Sequence, residues 1–238
     1  MDKLWKDVEI VVAHYNEDIE WIKPYANNVT IYHKWSEESP RFPVKRRIKL
    51  KNVWREGHTY LYHIINNYNS LANITIFLQW WIEDQIKKKV MYANLEKYVW
   101  ETKRYWFSTR RMRFMWKRNP QIKYRWKFKK MINNWKIKRA EQSFDVFYKN
   151  IFGKEQPYFI PYFICWNFWV KKKAIQNRSL CFYEKIIQYF VHNNPEEWHY
   201  LERLWFEIFN PRLQFHYFIK ILKDPFVFLS TLKKRLKI

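Results

Sequence analysis

Apolar runs separated by short polar clusters organise the first third of the chain. Val8-Glu9-Ile10-Val11-Val12-Ala13 is a short, nearly continuous apolar run, the pattern of a strand buried on both faces. A polar cluster, His14-Tyr15-Asn16-Glu17-Asp18, follows at its C-terminal end. Ile19 to Tyr25 predicts a short helix broken by Pro24, since proline has no N–H to give a helix. Val29 to His33 predicts a second strand, and residues 36–52, polar and basic, a loop. Glu56 to Tyr68 predicts a helix, because Leu61, Ile64, Ile65 and Tyr68 recur at three- and four-residue spacing. Ile74 to Leu78, rich in β-branched residues, predicts a third strand. Strand, connection, strand, helix, strand implies a parallel or mixed sheet with helical cover. Ligands of such sheets lie beyond the C-terminal strand ends. Asn16-Glu17-Asp18 and Gln79-Trp80-Trp81 occupy two of those ends.

The second half is less regular. Residues 101–139 are basic with weak periodicity and are expected to form a helical insertion. Phe144 to Phe152 predicts a helix ending at Gly153. Tyr162 to Cys165 and Phe168 to Val170 read as strands. Leu180 to Phe190 and Glu196 to Phe209 read as helices, with Pro195 suited to the start of the second. The expected architecture is one α/β domain over residues 1–212, with a mixed, helix-covered sheet, followed by a basic amphipathic tail at 213–238. No internal repeat and no Gly/Ser linker interrupts it.

Charge sharpens this picture. The chain of 238 residues carries a net +23. Residues 101–139 hold fifteen Lys/Arg against one acid, a local +14. The excess is therefore concentrated in one segment. It mixes cations with Tyr105, Phe107, Phe114, Tyr124 and Phe128. Such a mixture can pair with phosphates and stack on bases, hold a polyanionic acceptor or anionic lipid, or be a solvated product of AT-rich codons. No DNA- or RNA-binding fold signature accompanies it, which argues against nucleic acid. No run of about 18 apolar residues is present to span a bilayer, and the first residues lack a signal-peptide hydrophobic region. Cys165 and Cys181 lack metal-type spacing and suit a reducing cytosol. The expected place is the cytoplasm, with the basic tail lying against the inner face of a membrane as one alternative.

Composition adds an anomaly. The chain has 2 glycines and 15 tryptophans, where average usage of about 7% implies roughly 17 glycines. The tryptophans also fall where turns are needed. Trp35 follows the second strand, Trp80 and Trp81 the third, and Trp135 completes Asn133-Asn134-Trp135. A bulky residue takes φ > 0 only at a cost, whereas glycine does so freely. A UGA codon read as glycine in the source, but translated here as tryptophan, explains the pattern. A genuinely tryptophan-rich protein is the alternative.

Five motifs give a family resemblance: Val12-Ala13-His14-Tyr15-Asn16-Glu17-Asp18, Tyr32-His33-Lys34-Trp35, Asn52-Val53-Trp54-Arg55-Glu56-Gly57-His58-Thr59-Tyr60-Leu61, Phe77-Leu78-Gln79-Trp80 and Glu202-Arg203-Leu204-Trp205. The chain resembles the uncharacterised family called domain of unknown function 3431, whose signature is N-x-G-R-E-x-x-T-Y-L. Trp35, Trp54 and Trp80 stand where that pattern has glycine. Trp21 and Trp205 stand where it has tryptophan, and so are expected to be genuine. The first half also looks like the nucleotide-sugar half of a GT-A glycosyltransferase, a fold-level analogy. The resemblance implies a Rossmann-like, GT-A-like sheet and transfer of a sugar from a nucleotide-sugar donor to a surface polysaccharide or glycoconjugate.

The residues fit that chemistry in part. Asn16, Glu17 and Asp18 can hold ribose hydroxyls or a base edge, or can cap the following helix. With glycine at Trp54, backbone amides can approach a phosphate at a helix start, and Arg55 offers a fork of donors to a diphosphate. Glu56, His58 and Glu202 are the acid/base candidates, His58 because imidazole titrates near neutrality. Thr59, Gln79 and Arg203 are further substrate-binding candidates. GT-A enzymes usually hold a metal through D-x-D. This chain instead has Glu83-Asp84, which can offer oxygen ligands to Mg²⁺ or Mn²⁺ or be a solvated acidic pair. Glu202 and His199 are three apart and share a helix face, where an ion pair is the competing reading. A non-catalytic polyanion-binding module centred on residues 101–139 is the rival to the transferase.

Overall fold

A computed structural model describes residues 5–16, 18–34, 42–51, 56–79, 95, 99, 107–108, 112–116, 126–134, 136–163, 167–190 and 196–209. In chain order it contains β1 (Val8–His14), a 3-10 helix (Glu20–Asn28), β2 (Val29–His33), β3 (Arg46–Lys49), α1 (Glu56–Asn66) and β4 (Ile74–Gln79). There follow β5 (Phe107–Ser108), β6 (Met112–Trp116), α2 (Trp126–Asn133), α3 (Phe144–Phe152), β7 (Phe159–Phe163) and β8 (Phe168–Lys171). The last described elements are α4 (Lys172–Ile175), α5 (Leu180–Ile187), a 3-10 turn (Gln188–Phe190), α6 (Glu197–Glu202) and α7 (Trp205–Phe209).

The main sheet has six strands in the order β3-β2-β1-β4-β8-β5. β1 to β4 run parallel, and β8 lies antiparallel between β4 and β5. It is thus the mixed, helix-covered sheet of an α/β domain. Every residue of β1 is buried, which is why that stretch is almost unbroken in apolar character. Alternation sends Val11 and Ala13 to a layer shared with α1, α3 and α5 to α7. Val8, Ile10 and Val12 go to a second layer under the 3-10 helix. The two crossovers therefore lie on opposite faces. The chain steps outward from β1 to β2 and β3, then returns through α1 to β4 on the other side of β1. Right-handed crossovers in opposite directions must cover opposite faces, and the order reverses between β1 and β4.

Four expectations change. The segment after β1 runs through Pro24 to Asn28 as a 3-10 helix, whose i→i+3 turns replace the α-helical bonding that proline interrupts. β3 lies inside the stretch read as loop. It has one apolar residue, Ile48, and is held by a charge instead. Arg46 reaches across to the buried Glu9, Nη2 to Oε1 at 2.6 Å, and donates from Nε to Thr30 Oγ1 at 3.2 Å and from Nη1 to Asn67 Oδ1 at 2.9 Å. The basic segment 101–139 contains α2 but also β5, which joins the main sheet, and β6, which pairs with β7. Strand partners far along the chain override its weak local pattern. The helix expected from Glu196 to Phe209 is split. The N–H groups of Arg203 and Leu204 bond three residues back, to Tyr200 and Leu201, and the Arg203 guanidinium takes the His199 carbonyl. That tight turn re-aims α7.

The helix end read at Gly153 stands. α3 ends at Gly153 with φ 67°, the left-handed cap that glycine permits. Trp205 is buried and stacks on Phe209, with ring centroids 5.5 Å apart and planes 7° from parallel. Trp21 packs against the second layer. Trp35, Trp54, Trp80, Trp81, Trp135 and Trp166, together with Pro195 and the tail 213–238, lie outside the described residues.

Candidate site at the carboxyl edge of the parallel strands

Strand order reverses at β1, which has β2 on one side and β4 on the other. Ala13 is in register with Gln79, and His14 with His33. Pairing continues one step further, because the Lys34 N–H donates to the His14 carbonyl at 3.0 Å. The Leu50 N–H donates to the His33 carbonyl at 2.9 Å, which fixes the end of β3 against β2. Asn167 is buried just before β8, beside the end of β4. Sequence reading passed over Asn167, because nothing local shows that β8 returns to this edge.

Helix α1 begins at the same edge with Glu56, Gly57 and His58. Glu56 is buried and His58 half-buried, its ring stacked on Tyr62 with centroids 6.1 Å apart. Gly57 has a specific reason to be glycine. A Cβ there would sit 2.1 Å from the Trp198 ring. The indole of α6 thus lies directly on the first turn of α1 and brings the early and late motifs together.

Three ionisable groups couple here. Burial pushes the Lys34 ammonium down to about 8, and the neighbouring Glu56 carboxylate partly offsets this. Burial, and then the Lys34 charge, push the His58 imidazole down to about 4. The edge at neutral pH therefore presents cationic Lys34 and a neutral His58. This corrects the expectation for His58. It does not titrate near neutrality and has no imidazolium proton to give there; its neutral ring can accept one. In sequence Lys34 stands out only as part of the Tyr32-His33-Lys34-Trp35 motif. Its position at the last step of a buried strand was the signal that it is placed rather than solvated.

The remaining candidates divide. Asn16 is exposed beyond β1. Asp18 accepts the Glu20 N–H at 2.9 Å, a local turn bond just ahead of the 3-10 helix, whose N-cap residue is Ile19. Thr59 is fully buried in the first turn of α1. Glu202 lies 3.7 Å from both His199 Nδ1 and Arg203 Nη1, and Arg203 lies over the Tyr162 ring at 5.7 Å. These three make the ion-pair cluster on the α6 turn, next to Trp198. Gln79 ends β4. Glu17, Arg55, Glu83 and Asp84 lie outside the described residues. Among the described residues no group of three or more His, Cys, Asp or Glu is disposed to hold a metal, and no helix is long and apolar enough to cross a membrane.

A groove of about 360 Å³ lies at the opposite, amino edge, lined by Asp7, Glu9, Lys45 and Asn73 among others. Its buried carboxylate, Glu9, is engaged by Arg46 and Thr30. That edge carries structure, and the charge-bearing carboxyl edge is the better candidate.

No curated protein matches the chain, and no solved structure does. The family model described as Protein of unknown function (DUF3431) matches residues 10–216, from inside β1 to beyond α7. That match spans most of the chain, and the chain belongs to this family.

Proposed function

We propose that the protein is a glycosyltransferase-like enzyme that moves a sugar from a nucleotide-sugar donor to a surface polysaccharide or glycoconjugate. The observation that carries this reading is the polar edge where strand order reverses, the place where open α/β sheets take nucleotide ligands. Asn16, Glu17 and Asp18 would hold the nucleoside, and Gln79 and Arg203 would line the remainder of the site. Arg55 would balance diphosphate charge as the bond to the sugar breaks. His58, neutral at working pH, suits removal of the acceptor proton better than donation; Glu56 and Glu202 are the other acid/base candidates. Glu83 and Asp84 would supply oxygen ligands to Mg²⁺ or Mn²⁺, whose charge would offset that of the diphosphate.

The same reading takes Trp54 as glycine in the living protein. Peptide mass spectrometry of the protein from its own host decides this: tryptophan found at positions 54 and 80 ends the recoding idea. The glycine form should bind UDP- or GDP-sugars, and Arg55→Ala should abolish that binding. The concentrated charge of residues 101–139 supports one alternative, a non-catalytic polyanion-binding module. Salt-sensitive RNA or anionic-lipid binding, with no nucleotide-sugar binding, would favour it. The proposed setting is the cytoplasm, against the inner face of the membrane.

A further inference from the structure

The geometry points to Lys34 as the phosphate-binding cation of the carboxyl edge, with Glu56 as the counter-ion that an incoming phosphate group replaces. The ligand class is a diphosphate, free or on a nucleoside, so the inference deepens the nucleotide-sugar reading and rests on it for the nucleoside.

The backbone places Lys34 first. Its N–H is fixed to the His14 carbonyl at 3.0 Å, one step beyond the last pair of β1 and β2. Strand alternation puts it on the same face as Tyr32, the face that α1 covers. The residue is 8% exposed, although lysine ordinarily keeps its ammonium in water. Glu56 opens α1 on that face and is 4% exposed. Each charge compensates the other's desolvation, so removing one partner alone is costly. A phosphate oxygen offers Lys34 the same compensation with more negative charge. The ammonium, pushed down to about 8 by burial against the opposing influence of Glu56, still holds its proton at neutral pH. His58 adds no second positive charge, because it is neutral there. A purely structural Lys34–Glu56 pair would use the same residues, but the two arrangements respond oppositely when Glu56 loses its charge.

The test is calorimetric titration of the full chain, expressed with the codon reading of its source. The probes are inorganic pyrophosphate, UDP, GDP, and uridine or guanosine alone. Lys34→Met should weaken pyrophosphate and both nucleoside diphosphates roughly tenfold or more and leave the nucleosides unchanged, while Lys34→Arg should restore much of the loss. Because Glu56 raises the Lys34 value, its loss lowers the ammonium further, so Glu56→Gln is titrated at pH 6, well below about 8, and should there tighten pyrophosphate several-fold. Wild-type affinity for pyrophosphate in Lys34→Met overturns the inference while leaving the transferase reading intact. Weaker pyrophosphate binding in Glu56→Gln also overturns it, since Glu56 then holds Lys34 in place. Lys34-dependent binding with UDP and GDP no tighter than pyrophosphate supports the inference and removes a UDP- or GDP-sugar as the donor. Circular dichroism checks each fold; if Lys34→Met fails to fold, the Glu56→Gln titration decides.

Discussion

Two side-chain contacts at the first turn of α1 can be checked one residue at a time. At Gly57, a methyl group would lie far inside van der Waals contact distance of the buried Trp198 indole. Gly57→Ala should cost about 1–3 kcal/mol, the usual range for overpacking, read as a lower urea midpoint. Trp198→Phe in the same chain should recover part of the loss. At His58, carbon and nitrogen shifts of the imidazole should titrate near 4. Because burial is the larger cause and Lys34 the smaller, Lys34→Met should raise that value only part of the way toward 6.5. An unchanged His58 titration in that variant would mean the two groups do not couple. Single side chains are also the least legible from sequence. Glu56 and His58 announce themselves as polar groups at a helix start. Thr59 does so equally, yet it is fully buried; polarity in a motif does not say which way a side chain faces. Lys34 looks like any lysine in a basic chain until its strand is placed.

Among the elements, those with a buried face were readable. β1, β2, α1, β4 and α3 each carry the apolar period of their class, and their bounds fall within a few residues of expectation. β3 does not, because its place depends on Glu9, three elements earlier in the chain. The hydrogen-bonded group of Glu9, Thr30, Arg46, Asn67, His63 and Tyr32 joins three strands to α1. Burial raises the Glu9 carboxyl, but the Thr30 hydroxyl, His63, Arg46 and Lys45 outweigh it and hold the net value below the ordinary one. Arg46→Met leaves that carboxylate buried with less compensation. Since the Arg46 side chain is 38% exposed, the loss should be on the order of 2 kcal/mol. Amide exchange should speed up in β3 before it does in β4. Equal protection of β3 in wild type and variant would mean that apolar packing, not the arginine, holds the edge strand.

For the molecule as a whole, pH dependence follows from buried neutral and buried charged groups acting in sequence. His63 is fully buried and held down to about 4, first by burial, with Arg46 and Lys45 adding to it against Glu9. A histidine whose folded value is depressed contributes stability above its unfolded value near 6.5, and loses it as pH falls toward 4. The shift corresponds to about 3 kcal/mol at most. Glu9, depressed below 4.5, gives up its own contribution at more acidic pH. Stability from urea titrations should therefore decline from about pH 6.5 downward, and His63→Gln should flatten the upper part of that decline; a curve level down to pH 4.5 would contradict it. Whole-molecule topology was legible as class but not as order. The α/β alternation implied a parallel or mixed sheet, but β8 and β5 come from segments whose local pattern gives no strand partner. Hence the return of the chain to the carboxyl edge at Asn167 could not be read in advance.

The antiparallel seat of β8 beside β4 has a consequence during synthesis. β4 pairs with β1 as soon as both have emerged, but its other edge waits for Phe168, with residues 80–167 still to be made. At ~5–20 residues per second that interval is on the order of 10 s. Throughout it Ile74-Thr75-Ile76-Phe77-Leu78 offers unpaired N–H and C=O groups along an apolar strand, the template on which nascent chains associate. Yield in a foreign host should therefore depend on translation speed between β4 and β8 and on chaperones that bind extended apolar segments at the ribosome.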